Sequence, residues 1–353
     1  MRALLVSTVL LVCAGSVPVA GGGTVPPLLI HVVLQQDTSF DADSLLKQAY
    51  DLKAQGKRDE ARTLFEKLMR DYPNTSAGVE ARWIVAYYLL NGKQFDEAQR
   101  LFQQVADDAR AKPDIAAEAL LQTGFVYLSR YWAEGDAPGE QRYKLLEQAK
   151  TRLSQIARSL SNRSDDISRT AAAYALLGVG EAWLYQGMAE QAEPHYRAIL
   201  AMKEGVHPVV LAQAWYCLGV SLYRQRRYAE ALEAFDAVKQ IGEAGEGIVL
   251  RSLALGNALP ERAWLWQAAI WAQLGYAERS VAALEEGLRR PERLAGANNA
   301  ALLAQAQTSL EGMRRVVERH KEREKRLAEV KRLAQQLEQN TSSAVLPVSQ
   351  TGH

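Results

Sequence analysis

The chain has 353 residues, 48% of them hydrophobic and 24% charged, with 42 basic side chains against 41 acidic ones and a formal net charge of +1. This is ordinary globular material, long enough for a large elongated core. The balanced charge supplies no field that draws polyanions, so nucleic acid is excluded as an expected partner, and so is an anionic lipid surface.

Arg2 precedes an apolar run from Ala3 to Ala14 and a small-residue stretch from Gly15 to Gly21, the order of regions in a secretory signal. The run is shorter than the ~20 residues that a permanent span requires. Residues 1–21 are therefore expected to be a signal peptide, with Val19-Ala20-Gly21 as a small-x-small cleavage site. Cys13 keeps a second outcome open, acylation of the thiol, with Leu10 at the usual spacing and the larger Val12 directly before it. After cleavage near Gly21 the remaining cysteine is Cys217, so no intrachain disulfide is expected. Residues 22–40 are expected to form an extended N-terminal segment.

From Asp41 to Arg290 a phrase repeats. A small residue stands four positions before a large one at Ala61/Phe65, Ala98/Phe102, Ala149/Leu153, Ala192/Tyr196, Ala231/Phe235 and Ser280/Leu284. Ahead of each lies a second pair, three apart: Ala49/Leu52, Ala86/Leu89, Gly124/Tyr127, Gly180/Trp183, Gly219/Leu222 and Ala268/Trp271. Small residues let two helices approach closely, and the large neighbour fills the groove beside the crossing, so each copy reads as an antiparallel helical hairpin. Gly56, Gly92, Gly187 and Gly275 are expected as left-handed C-caps of the first helices. Pro73, Pro113, Pro208, Pro260 and Pro291 fall between hairpins, where a missing amide breaks helix continuity. The third copy carries an insertion at 131–139, expected as a surface loop with Trp132 either tucked onto the hairpin or presented to a partner. A second long connection runs from Ile241 to Pro260.

This pattern resembles the tetratricopeptide repeat family, with the fifth copy (Trp215, Leu218, Gly219, Leu222, Tyr228, Ala231, Phe235) carrying its most characteristic positions. The resemblance implies an all-α, right-handed superhelical solenoid of about six hairpins over 41–290. It also implies a concave groove made by the first helices, where this sequence places Tyr50, Trp83, Tyr87, Phe125, Tyr174, Glu181, Tyr185, Tyr216, Tyr223 and Arg224. These rings either meet a peptide or pack internally. A carboxylate clamp is not expected, because the position of its first Asn is held by Tyr50, Tyr87, Phe125, Glu181, Val220 and Ala269. The stretch Gly56 to Ala61, Phe65 and Asp71-Tyr72-Pro73-Asn74-Thr75 is similar to the exported repeat proteins of Gram-negative envelopes, the barrel-assembly lipoprotein and the Tol-Pal coordinator among them.

Beyond the repeats, 298–339 is expected to be a capping and charged helix. Leu303, Leu310, Met313 and Val317 form an apolar stripe that closes the stack, and a charged run extends from Glu318 to Arg326. Residues 340–353 are expected to be a disordered tail.

No catalytic motif is present, and the five histidines are scattered. The sequence therefore points to a periplasmic, non-catalytic scaffold that binds a protein or peptide in its groove, probed at Trp132 as a loop contact. It calls for no cofactor, metal or small-molecule substrate, and for no membrane attachment unless Cys13 is acylated. Two rivals stand beside it: an envelope subunit docking through its outer face and the 131–139 loop, and a helical enzyme acting on cell wall.

Overall fold

A computed structural model describes residues 17–18, 24–25, 27–135, 139–202, 204–241, 258–294 and 300–343. The expected lipidation site, Cys13, lies outside them, as do most of the 241–260 connection and the last ten residues of the tail. Apart from a two-residue antiparallel pairing of β1 (Val17–Pro18) with β2 (Thr24–Val25), every described element is a helix.

The helices run in pairs: α1 (Pro27–Ala54) with α2 (Arg58–Asp71), α3 (Ser76–Asn91) with α4 (Phe95–Ala106), and α5 (Pro113–Ala133) with α6 (Gly139–Ser161). Then come α7 (Asp166–Tyr185), α8 (Ala189–Met202), α9 (Pro208–Arg224), α10 (Tyr228–Ile241), α11 (Leu259–Gln273), α12 (Ala277–Gly287), the short α13 (Pro291–Leu294) and α14 (Ala300–Ser343). The chain divides into two compact units, the first ending at Ala182 and the second beginning at Trp183, inside α7.

In the first unit, α1, α3 and α5 each pack on the helix that follows, α3 and α5 also pack on the second helix of the preceding pair, and α3 touches both α1 and α5 as its neighbouring first helices. In the second unit, α9 and α11 do the same with α10 and α12. The paired volumes explain this packing. Ala61, Ala98, Ala149, Ala192 and Ala231 are sealed from solvent, as are Phe65, Phe102, Leu153, Tyr196 and Phe235. A Cβ added at Gly124 would lie 2.5 Å from Leu153 Cδ2, and one at Gly219 would lie 2.7 Å from the Phe235 ring. The large residue of each second helix thus occupies the space that the small residue of the first helix leaves empty.

The first helices also end alike. The residue four beyond the large packing position takes a left-handed conformation: Gly56 (φ 80°), Lys93 (61°), Gly187 (80°), Arg226 (63°) and Gly275 (83°). The following amide then donates to the carbonyl five residues back, on Leu52, Leu89, Trp183, Leu222 and Trp271, which closes each turn as a Schellman motif. The expected cap at Gly92 is corrected here: Gly92 has φ −78°, and Lys93 is the left-handed residue. In the third copy the equivalent position is Tyr131, an aromatic for which positive φ is costly, and α5 runs on to Ala133. Within the expected 131–139 loop, 131–133 and Gly139 are therefore helical and 134–135 form a turn, with 136–138 outside the described residues.

Two further departures concern the ends. The backbone of 27–40 is helical rather than extended, because α1 begins at Pro27, where a missing amide is harmless. The cap and the charged segment form one 44-residue helix, α14, that reaches Ser343, so the first residues assigned to the tail are helical. Thr75 caps α3 by accepting from the Gly78 amide at 3.0 Å, which turns the Tyr72-Pro73-Asn74-Thr75 link into a defined helix start.

Two measurements check this packing. Gly124→Val is expected to lower the stability of the chain by about 1–3 kcal/mol through overpacking against Leu153, read from the urea midpoint. Lys93→Gly is expected to raise it by about 1 kcal/mol, by removing a side chain from a left-handed position.

Candidate functional site

The first helices place one residue directly after each small packing position, and a second one six residues before it. In the first unit these two positions meet across successive hairpins. Tyr50 Oη donates to Glu80 Oε1 at 2.6 Å, and Tyr87 Oη donates to Glu118 Oε1 at 2.6 Å. At the third junction both partners are aromatic, and the Phe125 and Tyr174 rings lie 5.0 Å apart. Each ring also braces its own hairpin or the next. Tyr50 stands edge-on to Phe65 at 5.4 Å, and Tyr87 stands edge-on to Phe102 at 5.1 Å and to Trp83 at 5.2 Å.

The acidic partners are buried, Glu80 at 3% exposure and Glu118 at 2%. A buried carboxylate is tolerated only when it is well paired, and Glu80 receives a second bond from Lys112 Nζ at 2.7 Å. Burial, with the Glu118 charge behind it, pushes the Tyr87 hydroxyl far above its usual range, so it remains a donor throughout the physiological pH range. Sequence reasoning missed Glu80, Glu118 and Lys112. The signal lay in the near-constant separation of Tyr50 from Glu80 and Tyr87 from Glu118, thirty and thirty-one residues.

The ten expected groove residues therefore sort by surface. Trp83 and Tyr174 are core residues that present almost nothing to a partner, a correction that follows from their being covered by the adjoining hairpins. Tyr50, Tyr87 and Phe125 are half-buried members of the ladder. Glu181 and Tyr185 lie half-buried one turn apart on α7. In the second unit Tyr216 accepts from Trp266 Nε1 at 2.8 Å, and Tyr223 lies 5.0 Å from the same indole. Arg224 is exposed, and its guanidinium donates to the Leu184 carbonyl at 2.6 Å. Trp132 is 59% exposed, set edge-on to Tyr131, whose ring carries the Arg142 guanidinium at 4.4 Å.

Beyond Phe125 the row of rings gives way to Glu181 on α7, Val220 on α9 and Ala269 on α11, and α14 rests on α12 and α13. The result is a cleft of about 590 Å³ with α11 on one wall and α14 on the other. Its apolar surface comes from Leu265, Leu284, Leu302 and Met313, and its polar rim from Arg262, Tyr216, Gln305 and Ser309. Among the described residues no group of three or more His, Cys, Asp or Glu side chains is placed to hold a metal ion.

Glu181 gives a pH test of how deeply this face is enclosed. Burial pushes its carboxyl from 4.5 up to about 7. Between those values the folded chain holds more protons than the unfolded one, so the stabilising contribution is complete below about pH 4.5 and is lost as pH rises through about 7. Glu181→Gln is expected to flatten the decline in urea midpoint over that window, and an unchanged slope contradicts the burial.

A family model for the tetratricopeptide repeat matches residues 43–75, and a second one matches residues 212–243. No curated protein matches the chain. Among solved structures, the ribosomal-protein assembly chaperone Acl4 is similar at 15% identity and a TM-score of 0.46, over 78% of this chain and 99% of that one. PilF of Pseudomonas aeruginosa is similar at 13% identity and a TM-score of 0.45, over 77% and 99%. YrrB, a repeat protein described as having an unusual peptide-binding site, is similar at 13% identity and a TM-score of 0.36, over 69% and 97%. These structural likenesses are too distant to bear on function. The two repeat matches bracket the same small-and-large hairpin pairs that organise both units, so the chain carries tetratricopeptide repeats in each of them.

Proposed function

We propose that the protein is a non-catalytic scaffold that grips a protein or peptide segment on the first-helix faces of its hairpins, as part of a cell-envelope complex in the periplasm. The observation that carries the reading is the row of half-buried rings held by fixed partners, Tyr50 on Glu80, Tyr87 on Glu118 and Phe125 against Tyr174. Aromatic side chains that are already immobilised give contact area at little further entropic cost, which is how recognition surfaces reach useful affinity. Export is supported by the order of charged, apolar and small residues in 1–21.

A second reading has its own observation. Trp132 stands exposed near the end of α5, and Tyr143 on α6 is half-exposed, so a docking patch on the lengthened third hairpin is the rival to first-helix recognition.

Photo-crosslinking in cells separates the two. A benzoylphenylalanine placed at Phe125, Tyr185 or Tyr223 is expected to capture a discrete protein adduct, whereas one at Arg62 or Arg197 on second helices is not. Adducts from Trp132 alone contradict recognition on the first helices and favour the patch. The intact mass of the mature chain is expected to correspond to a start near Gly21. A mass retaining Met1 contradicts export, and an acylated Cys13 relocates the protein to the outer membrane.

A further inference from the structure

The fourth first helix carries an acid where the three before it carry rings. Directly after the small packing position stand Tyr50, Tyr87 and Phe125 in the first three copies, then Glu181, Val220 and Ala269. Glu181 is the charged residue of that series.

Phe125 fixes its surroundings on one side. A Cβ added at Gly178 would lie 2.8 Å from Phe125 Cε1, so the ring rests against the α7 backbone, with Tyr174 5.0 Å away. Tyr174, Gly178 and Glu181 follow one another at helical spacing and share one side of α7. The acid therefore sits one turn beyond the ring. Both Phe125 and Glu181 keep part of their surface open to solvent.

The other enclosed acids of the first-helix faces are supported from within the chain. Glu80 and Glu118 each receive a tyrosine hydroxyl, and Glu80 receives Lys112 as well. Glu181 differs: burial raises its carboxyl to about 7, and no donor or cation among the described residues offsets that shift. A carboxylate kept desolvated without support costs stability, and a group of that kind on an open face is suited to a charge brought from outside. Among the described residues no set of three metal-ligating side chains forms, so a lone carboxylate beside a ring matches an organic cation better than a metal ion.

We infer that Glu181 receives the Lys or Arg side chain of a bound polypeptide, with the aliphatic stem of that side chain lying along Phe125. The inference deepens the reading of protein-segment recognition and rests on it, by naming the chemistry that the segment must carry. The fold has already stripped water from the carboxylate, so an arriving cation gains more here than at an ordinary surface acid. The neighbouring ring adds contact for the methylenes and attraction for the charge.

The test uses the full chain with benzoylphenylalanine at Tyr185, one turn past Glu181. The captured segment is identified by mass spectrometry, synthesised as a fluorescent peptide, and measured by anisotropy against the chain without the crosslinker. The segment is expected to contain Lys or Arg within a few residues of the crosslinked position. Glu181→Gln is expected to weaken binding at least tenfold while leaving the melting temperature at pH 7.5 no lower than wild type. Glu181→Lys is expected to abolish binding, and a peptide with its Lys or Arg replaced by Glu is expected to bind that variant again.

Unchanged affinity of Glu181→Gln overturns the inference, as does a captured segment with no basic residue or a failure of the charge exchange to restore binding. A fall of several degrees in the melting temperature of Glu181→Gln also overturns it, because the carboxylate would then be serving the fold. If Phe125→Ala or Tyr185→Ala loses the peptide while Glu181→Gln keeps it, the cation site is wrong and first-helix recognition stands. If no protein adduct forms at Tyr185 in the wild-type background, both readings fall.

Discussion

The nesting of one large side chain into the gap left by one small residue governs this protein. At Gly124 and Leu153, and again at Gly219 and Phe235, there is no room for even a single added carbon. That contact sets how closely the two helices of a hairpin approach, and hence which residues of the first helix look toward the core and which toward the next hairpin. The ladder of Tyr50 with Glu80 and Tyr87 with Glu118 forms only because the packing fixes that rotation. A change of one residue in the register would turn those hydroxyls away and remove a hydrogen bond from each of two buried carboxylates.

The same logic relates fold to recognition. Repeat proteins gain stability from neighbour interfaces, so a face used for binding has to be built from residues that also hold neighbours together. Tyr87 illustrates the overlap: it contacts Phe102 of its own hairpin and bonds to Glu118 of the following first helix. A ring so constrained is rigid, which favours recognition, yet it has little surface left to offer. At Val220 and Ala269 the position carries no ring: Val220 is buried, and a cleft opens beside Ala269.

Much of this was legible in the sequence, because hairpin packing depends on volumes that recur at fixed spacing. Ala61, Phe65, Ala98, Phe102, Ala231 and Phe235 occupy the buried positions their spacing implies. The turns were legible only in part. Glycine marks three of the five left-handed positions, but Lys93 and Arg226 hold the others, where the closing hydrogen bonds of the turn outweigh the backbone cost. The length of α5 was missed because what matters there is an absence: Tyr131 stands where a turn-permitting residue would be, and the helix continues. The recognition face was the least legible part. Periodicity separates the two sides of a helix, but it does not say how completely the next hairpin covers them, so Trp83 and Tyr87 look alike in sequence and differ in exposure. Glu80 and Glu118 read as surface acids for the same reason, because their burial depends on tyrosines about thirty residues earlier.

A double-mutant cycle on Gly219 and Phe235 tests the central claim most directly. If volumes are matched across the hairpin, Gly219→Ala destabilises the chain on its own, and Phe235→Leu, by making room, recovers a large part of that loss when the two are combined. Strictly additive effects of the two substitutions on the urea midpoint contradict the account.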